Sequence, residues 1–308
     1  MPAVFTLTLN PVVDVHFPLV TLEAGRENHT GRRIITAGGK GVNVSKALYR
    51  RGFVAPAYFL LGEEDGDRYV SLLERELSAF RYVSVPGPVR EYISLNCGSG
   101  GSETRICYDG FRAGNDAVSG IFGMLEKTAA PGDIVCISGR SPDGADPAFA
   151  ASLAARLKKA GVRIVCDTAS FGPEELAICG PWLIKPNLAE ARTLLGKTAS
   201  EAGSLDLSAA AEALLKLSAN VLISLGGEGV FFASRGDCRL RLPAVPVEKC
   251  YSSVGAGDNL LAGFLYSLLS SHYFTSADDG PDPIPEEPAR RALETGLAFA
   301  AEICSEKR

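Results

Sequence analysis

Hydrophobic positions follow two rhythms along the chain. Val4–Leu9 alternates apolar residues with Thr, the period of a strand. Lys40–Arg51 then reads as a helix, Ala57–Leu61 as a strand and Asp67–Ser78 as an amphipathic helix. From Ala117 the alternation becomes regular. The pattern predicts helices over Ala117–Ala129, Pro147–Ala160, Ala189–Leu195 and Ala209–Leu217. It predicts strands over Asp133–Ser138, Val162–Asp167, Trp182–Lys185 and Val221–Leu225. Strands alternating with helices imply parallel neighbours joined by crossover helices, an open α/β sheet. A hairpin is expected from Gly229–Ser234 and Arg239–Pro243, and helices at Ala256–Ser271 and Ala289–Cys304 close the chain. Between those helices the acidic, Pro-rich Asp278–Pro288 reads as a surface loop. The extended segments near 12–36 and 88–109, the latter with a turn at Gly98–Gly101, break the alternation and are expected to form a small separate sheet.

Composition narrows the class. The chain has 308 residues, 46% of them hydrophobic and 22% charged, enough apolar matter for one large core, so a single domain over 1–308 is expected. The net charge of −5 argues against a nucleic-acid partner and against an anionic membrane surface. The most apolar long stretch, Val254–Ser271, carries Asp258 and is short for a membrane span. The N-terminus lacks the basic and apolar regions of a secretory signal. Eight Cys without a CxxC pair read as small buried hydrophobes in a reducing compartment. A cytoplasmic protein is expected.

Several unusual sequences fall at predicted strand ends, where open α/β sheets bind ligands. Val254-Gly-Ala-Gly-Asp-Asn259 runs a Gly-rich turn into an apolar helix. Unpaired amides at a helix start favour anions. Asp258 beside them has the placement of a general base, though a plain helix cap explains it equally well. Thr36-Ala-Gly-Gly-Lys-Gly-Val-Asn-Val44 is a second such turn without P-loop spacing. There the backbone of Gly38 and Gly39, with Lys40 and Asn43, is suited to a polar ligand.

In Lys185-Pro-Asn-Leu-Ala-Glu190, Asn187 and Glu190 have capping-box spacing, which is compatible with a carboxylate near a nucleotide's metal ion. Ser224-Leu-Gly-Gly-Glu-Gly229 is either a hairpin turn or a backbone surface for a nucleotide. Ser138-Gly-Arg-Ser-Pro142 and Asp14 end two more extended pieces, positions open to a polyol site or to ordinary turns. Arg90 and Arg105, taken alone, read as solvated surface charges.

In this order, Thr8-Leu-Asn-Pro-Val-Val-Asp14, Ala37–Val44, Ser138–Pro142, Lys185–Glu190, Ser224–Gly229 and Gly255-Ala-Gly-Asp258 resemble the ribokinase-like sugar kinases, the phosphofructokinase B family. The first two look most like the subgroup acting on sugar phosphates: 1-phosphofructokinase, tagatose-6-phosphate kinase and the minor 6-phosphofructokinase. The resemblance implies a three-layer αβα sandwich with a β lid from about 12–36 and 88–109, often the dimer contact in relatives. It implies ATP and Mg²⁺ as cofactors and a sugar phosphate as acceptor, foremost fructose 1-phosphate, with tagatose 6-phosphate and fructose 6-phosphate as alternatives. A kinase of an unphosphorylated sugar or nucleoside, and a sugar-phosphate-binding relative without turnover, are further alternatives.

By the same resemblance Asp258 is the base, and the amides of Gly255, Ala256 and Gly257 form the anion hole. Lys185, Asn187, Ser224, Gly226 and Gly229 lie along the nucleotide, with Glu190 near the metal. Asp14, Gly38, Gly39, Lys40, Asn43 and Ser138 surround the sugar. Arg90 and Arg105 face the substrate phosphate. Ser138–Pro142 departs from the pattern with Arg140 where Ser is usual, a change that either adds a phosphate contact or narrows the sugar site. On the lid strand Val89-Arg-Glu-Tyr92 keeps Arg90 but has Tyr92 in place of the usual Asn. Relatives are also expected to carry a tail beyond the last helix matched here.

Overall fold

Strand β1 (Val4–Thr8) is buried along its whole length because it packs on both faces. Phe5 and Leu7 enter one apolar cluster and Val4 another, while Thr6 shares a 2.8 Å hydrogen bond with Ser45. The computed structural model describes residues 1–97, 103–196, 205–274 and 283–306. The Gly98–Gly101 turn and residues 278–282 of the expected acidic loop lie outside that set.

After β1 come β2 (Val12–Leu19), β3 (Ile34–Gly38), α1 (Lys40–Tyr49), β4 (Ala57–Gly62), α2 (Gly66–Leu73) and β5 (Phe80–Val85). Next are β6 (Arg90–Cys97), β7 (Glu103–Tyr108), α3 (Asn115–Thr128), β8 (Ile134–Ser138), α4 (Pro147–Lys159), β9 (Arg163–Asp167) and α5 (Pro173–Cys179). The chain continues through β10 (Leu183–Ile184), α6 (Leu188–Leu194), α7 (Leu207–Leu214), β11 (Asn220–Ser224), β12 (Val230–Ser234), β13 (Arg239–Leu242), α8 (Ala256–Ser270) and α9 (Glu286–Ser305).

The large sheet has the order β13-β12-β11-β10-β9-β8-β1-β4-β5, parallel except for the β12 and β13 hairpin. One face meets α3, α4, α5 and α7 through residues such as Ile121, Leu153, Leu176 and Leu214. The other meets α1, α8 and α9 through Leu48, Phe264 and Leu293. These are the three layers of the expected αβα sandwich. The separate sheet has the order β3-β2-β6-β7, with β2 and β6 parallel and both outer pairs antiparallel. Its apolar side meets α2 and β4 through Val13, Val15, Tyr69 and Phe59. Tyr69, fully buried, donates its hydroxyl to the Gly38 carbonyl at 2.8 Å and ties α2 to β3.

Three departures from the sequence pattern have local causes. β5, which that pattern does not mark, pairs with β4 as the far edge of the large sheet, while β6 and β7 of the 88–109 region enter the small one. α5 is short, opened by Pro173 and closed by Gly180 in the left-handed region, so its apolar period is too brief to read. α9 starts at Glu286 rather than Ala289. Pro288 falls in its first turn, where a missing N–H removes no helical bond. The Arg290 guanidinium donates to Glu286 at 2.8 Å, one turn away.

β1 sits between β4 and β8, and the chain leaves it in opposite directions along the sheet. Loops beyond the strand carboxyl ends diverge there, which opens a crevice. On the layer behind it α8 and α9 cross at Gly263 and Gly296. A Cβ on Gly263 would stand 2.8 Å from the Gly296 Cα and 2.8 Å from the Thr295 carbonyl oxygen. Gly263→Ala therefore lowers stability by about 1–3 kcal/mol. Gly123→Ala, inside α3 with open space at its Cβ, raises it by about 0.5–1 kcal/mol. Thermal unfolding of the two variants checks the opposite signs.

Candidate active site

The crevice is a cleft of about 950 Å³. Its floor is built by the carboxyl ends of β1, β8, β9 and β10 and by the starts of α1 and α8. Asp258 lies in the first turn of α8, 6% exposed, and accepts a 2.8 Å hydrogen bond from the Asn43 amide of α1. Gly255 caps α8 at φ +80°, a left-handed conformation that an L side chain strains to adopt. The Ala256 amide donates to Ser253 at 3.1 Å in a local turn. Gly255, Ala256 and Gly257 all line the cleft.

Asp167 at the end of β9 organises the charges. Its side chain has no exposed surface, with the Lys40 ammonium 2.8 Å from one carboxylate oxygen and the Lys185 ammonium 3.0 Å from the other. Burial opposes its charge, yet Lys185 and Lys40 outweigh burial and hold the carboxyl below its ordinary value. Lys40 also meets Glu190 at 3.4 Å. Burial alone would lower its pKa, and the carboxylates of Asp167 and Glu190 instead raise it. A Cβ on Gly257 would be 3.3 Å from the Lys185 ammonium, so this cation stands at the start of α8. Asp258 experiences the opposite balance. Burial, then the charge of Asp167, push its carboxyl up to about 6, against Asn43, Lys185 and Lys40.

Of the residues singled out from sequence, Asp14, Gly39, Lys40, Asn43, Arg90, Arg105 and Arg140 line the cleft. So do Lys185, Asn187, Glu190, Ser224, Gly226, Gly229 and the Gly255–Asp258 turn. Gly38 and Ser138 do not. Gly38 makes room, since a Cβ there would fall 2.0 Å from an Asp14 carboxylate oxygen. Ser138 is 3% exposed beneath the floor. The Lys40 ammonium meets the carboxylates of Asp167 and Glu190 while its side chain stays about one-third exposed to the cleft. Asn187 and Glu190 form the expected capping box: Glu190 N–H donates to Asn187 Oδ1 at 2.9 Å, and Asn187 N–H to Glu190 Oε2 at 2.8 Å. Their cleft-facing role and their capping role coexist.

Sequence reasoning missed Asp167, although an acid ending the apolar run Ile164–Cys166 at a strand end was a visible signal. It also missed the apolar end of the cleft, formed by Val245, Val247, Cys250, Ala300, Ala301 and Cys304. No local signal marks those, since α9 reaches the cleft only through its packing on α8.

No group of three or more His, Cys, Asp or Glu among the described residues could cage a metal ion. Glu190, which lines a cleft with backbone anion donors, fits a magnesium ion held mainly by phosphates and water. No described helix is long and apolar enough to cross a membrane.

The raised Asp258 carboxyl has a thermodynamic consequence. Between the ordinary value of 3.8 and about 6 the folded state keeps a proton that the unfolded chain has lost. As pH rises through that value the fold loses the proton and carries a poorly solvated charge. Asp258→Asn removes the charge, so at pH 7.5 it stabilises on the order of 2 kcal/mol. A Tm rise of several degrees at pH 7.5, gone by pH 4, is the expected result of paired thermal melts.

The profile of the pfkB family carbohydrate kinases matches residues 8–308. Among solved structures, phosphofructokinase-2 from Escherichia coli, described in complex with fructose-6-phosphate, superposes with a TM-score of 0.83 at 24% identity. The match covers 99% of this chain and 96% of that one. The same enzyme is also described in a tetrameric inhibited form. A possible 1-phosphofructokinase from Thermotoga maritima superposes at 0.79 with 22% identity, over 99% of this chain and 93% of that one. Ribokinase from the same organism gives 0.73 with 18% identity, over 99% and 94%.

Proposed function

We propose that this chain, which belongs to the pfkB family of carbohydrate kinases, transfers the γ-phosphoryl group of ATP to a hydroxyl of a ketohexose phosphate. As a member it is a phosphotransferase acting on a sugar alcohol. The observation that carries the finer reading is the division of the cleft. Arg90, Arg105 and Arg140 gather at the end where the small sheet overhangs, and the glycine-rich Gly226–Gly229 turn and the apolar α9 wall form the other. A free sugar has no use for three guanidiniums, whereas a phosphate dianion does. Fructose 1-phosphate is the first candidate, on the likeness of Thr8–Asp14 and Ala37–Val44 to the sugar-phosphate subgroup. Fructose 6-phosphate and tagatose 6-phosphate follow.

In this reading Asp258 takes the proton of the acceptor hydroxyl as it attacks the γ-phosphorus. A carboxyl pushed up to about 6 is mostly ionised at pH 7 yet holds a proton better than a free aspartate. The hydrogen bond from Asn43 orients it. The amides of Gly255 and Gly257 and the Lys185 ammonium face the charge that builds on the transferring group. A magnesium ion, held by the nucleotide phosphates and near Glu190, would neutralise charge on the leaving phosphate. Val245, Val247 and Ala300 line the apolar end of the cleft, where the adenine of the nucleotide packs. The small sheet acts as the lid, and two copies pair through its exposed edge, where Ile106 and Tyr108 are more than half exposed. Reduced buried thiols such as Cys136 and Cys179 fit a cytoplasmic setting.

ADP release with Mg-ATP and a panel of fructose 1-phosphate, fructose 6-phosphate, tagatose 6-phosphate, fructose, ribose and adenosine tests the acceptor class. Turnover confined to phosphorylated ketoses is expected, and turnover of free sugars alone overturns it. Asp258→Asn is expected to lower kcat by about 10²–10⁴-fold while ATP binding persists. For the unaltered enzyme, kcat/KM falls toward tenfold per pH unit below about 6 and is flat above pH 7. An unchanged rate in that variant removes Asp258 from the role of base.

A further inference from the structure

Arg140 occupies an unusual place between the two sheets. Its backbone is pinned on both sides: the Gly139 amide donates to the Asp167 carbonyl at 2.9 Å, and the Ser141 amide to the Ser170 hydroxyl at 2.8 Å. Only its side chain is left to move. That side chain lines the cleft and ends 3.5 Å from Asp109, on the segment returning from β7. Just beyond, Arg112 of the same segment meets Asp143 at 3.3 Å, and the Ala113 amide donates to the Asp143 carbonyl at 2.9 Å. Two crossed arginine–aspartate pairs thus join segments 109–113 and 140–143. Neither partner of the Arg112 pair lines the cleft, and the Ala113 bond already clasps the backbone. The Arg140 pair faces the cleft, and its geometry is loose.

The charges around Arg140 make its pairing with Asp109 a poor resting arrangement. Arg90 is 6% exposed, donates to the Pro11 carbonyl at 3.2 Å and to the Tyr92 hydroxyl at 2.8 Å, and lies 4.8 Å over the Tyr92 ring. Burial and the charge of Arg140 pull its guanidinium below the ordinary value, against the attraction of Asp14. Arg105 lines the same cleft. Asp109 is 74% exposed, so water screens its attraction for Arg140. A phosphate monoester offers two charges and several oxygens to a planar guanidinium in a partly desolvated site, and outcompetes one solvated carboxylate.

We propose that Arg140 is a specificity-determining residue that exchanges its ion pair with Asp109 for the phosphate group of the acceptor sugar. The exchange rests on the ketohexose-phosphate reading above. Binding frees Asp109 and gathers Arg90 and Arg105 of the small sheet and Arg140 of the large one on a single dianion. An acceptor without a phosphate leaves Arg140 on Asp109.

The test is steady-state kinetics on Arg140→Ala, Asp109→Asn, the double variant and Arg112→Ala. Arg140→Ala is expected to raise KM for the phosphorylated ketose by about tenfold or more, with KM for Mg-ATP within about twofold of wild type. Asp109→Asn removes the competing anion and lowers KM for the sugar phosphate by about two- to fivefold. That gain vanishes in the double variant, and Arg112→Ala changes neither KM. The proposal is overturned if Arg140→Ala behaves like Arg112→Ala, or if the Asp109→Asn effect persists without Arg140. Thermal shift with inorganic phosphate reads the contact of Arg140 with phosphate separately from the acceptor class. If wild type phosphorylates only free sugars, the acceptor reading fails and the exchange on an acceptor phosphate with it, while a phosphate-induced Tm rise lost in Arg140→Ala still identifies Arg140 as a phosphate-binding residue. No phosphate shift, or an equal shift in both proteins, rejects the proposal.

Discussion

A carboxylate without exposed surface, held between two ammonium groups, is the interaction on which the site depends. Asp167 ends β9, Lys185 follows β10, and Lys40 opens α1, so one charge cluster joins three elements distant in sequence. Removing Asp167 would leave the buried Lys185 ammonium without its carboxylate, at a cost of about 3–5 kcal/mol. The same cluster sets the electrostatics of the cleft. It fixes the Lys185 ammonium beside Gly257 and contributes the negative charge that, after burial, lifts the proton affinity of Asp258.

The divided cleft follows from the topology. β1 is flanked by β4 and β8, and the loops leaving their ends diverge, so α1 and α8 can both aim their starts into one gap. The small sheet overhangs because β2 and β3 are inserted between β1 and α1, and β6 and β7 between β5 and α3. Positively charged and N–H donor groups are thus delivered to the cleft by different layers. Backbone amides and lysines come from the large sheet and its helices, and two of the three arginines from the small one. Close backbone approaches make this possible: Gly38 leaves space for the Asp14 carboxylate, and Gly263 with Gly296 lets α8 and α9 touch.

Much of this was legible from residues alone. The regular alternation after Ala117 announced the parallel sheet, and the segments that broke it contain the strands of the small sheet. Gly-rich turns before helices marked Gly39 and Gly255 as cleft positions, because they are local signals with a local cause. Asn187 and Glu190 were readable as a cap for the same reason. Where expectation failed, the deciding contact was not local. The edge strand β5 looks like any other extended segment until its partner β4 is known.

The order of elements, the chemistry at each strand end and the membership in a kinase family were determined by the sequence itself, since periodicity, caps and glycine turns act over a few residues. The pairing of Lys40 and Lys185 on Asp167, the proton affinity of Asp258, the burial of Ser138 and the reach of Arg140 toward Asp109 were decided only by the tertiary structure. Each depends on distance and dielectric between groups tens to hundreds of residues apart, and a charge's surroundings are not written beside it in the chain.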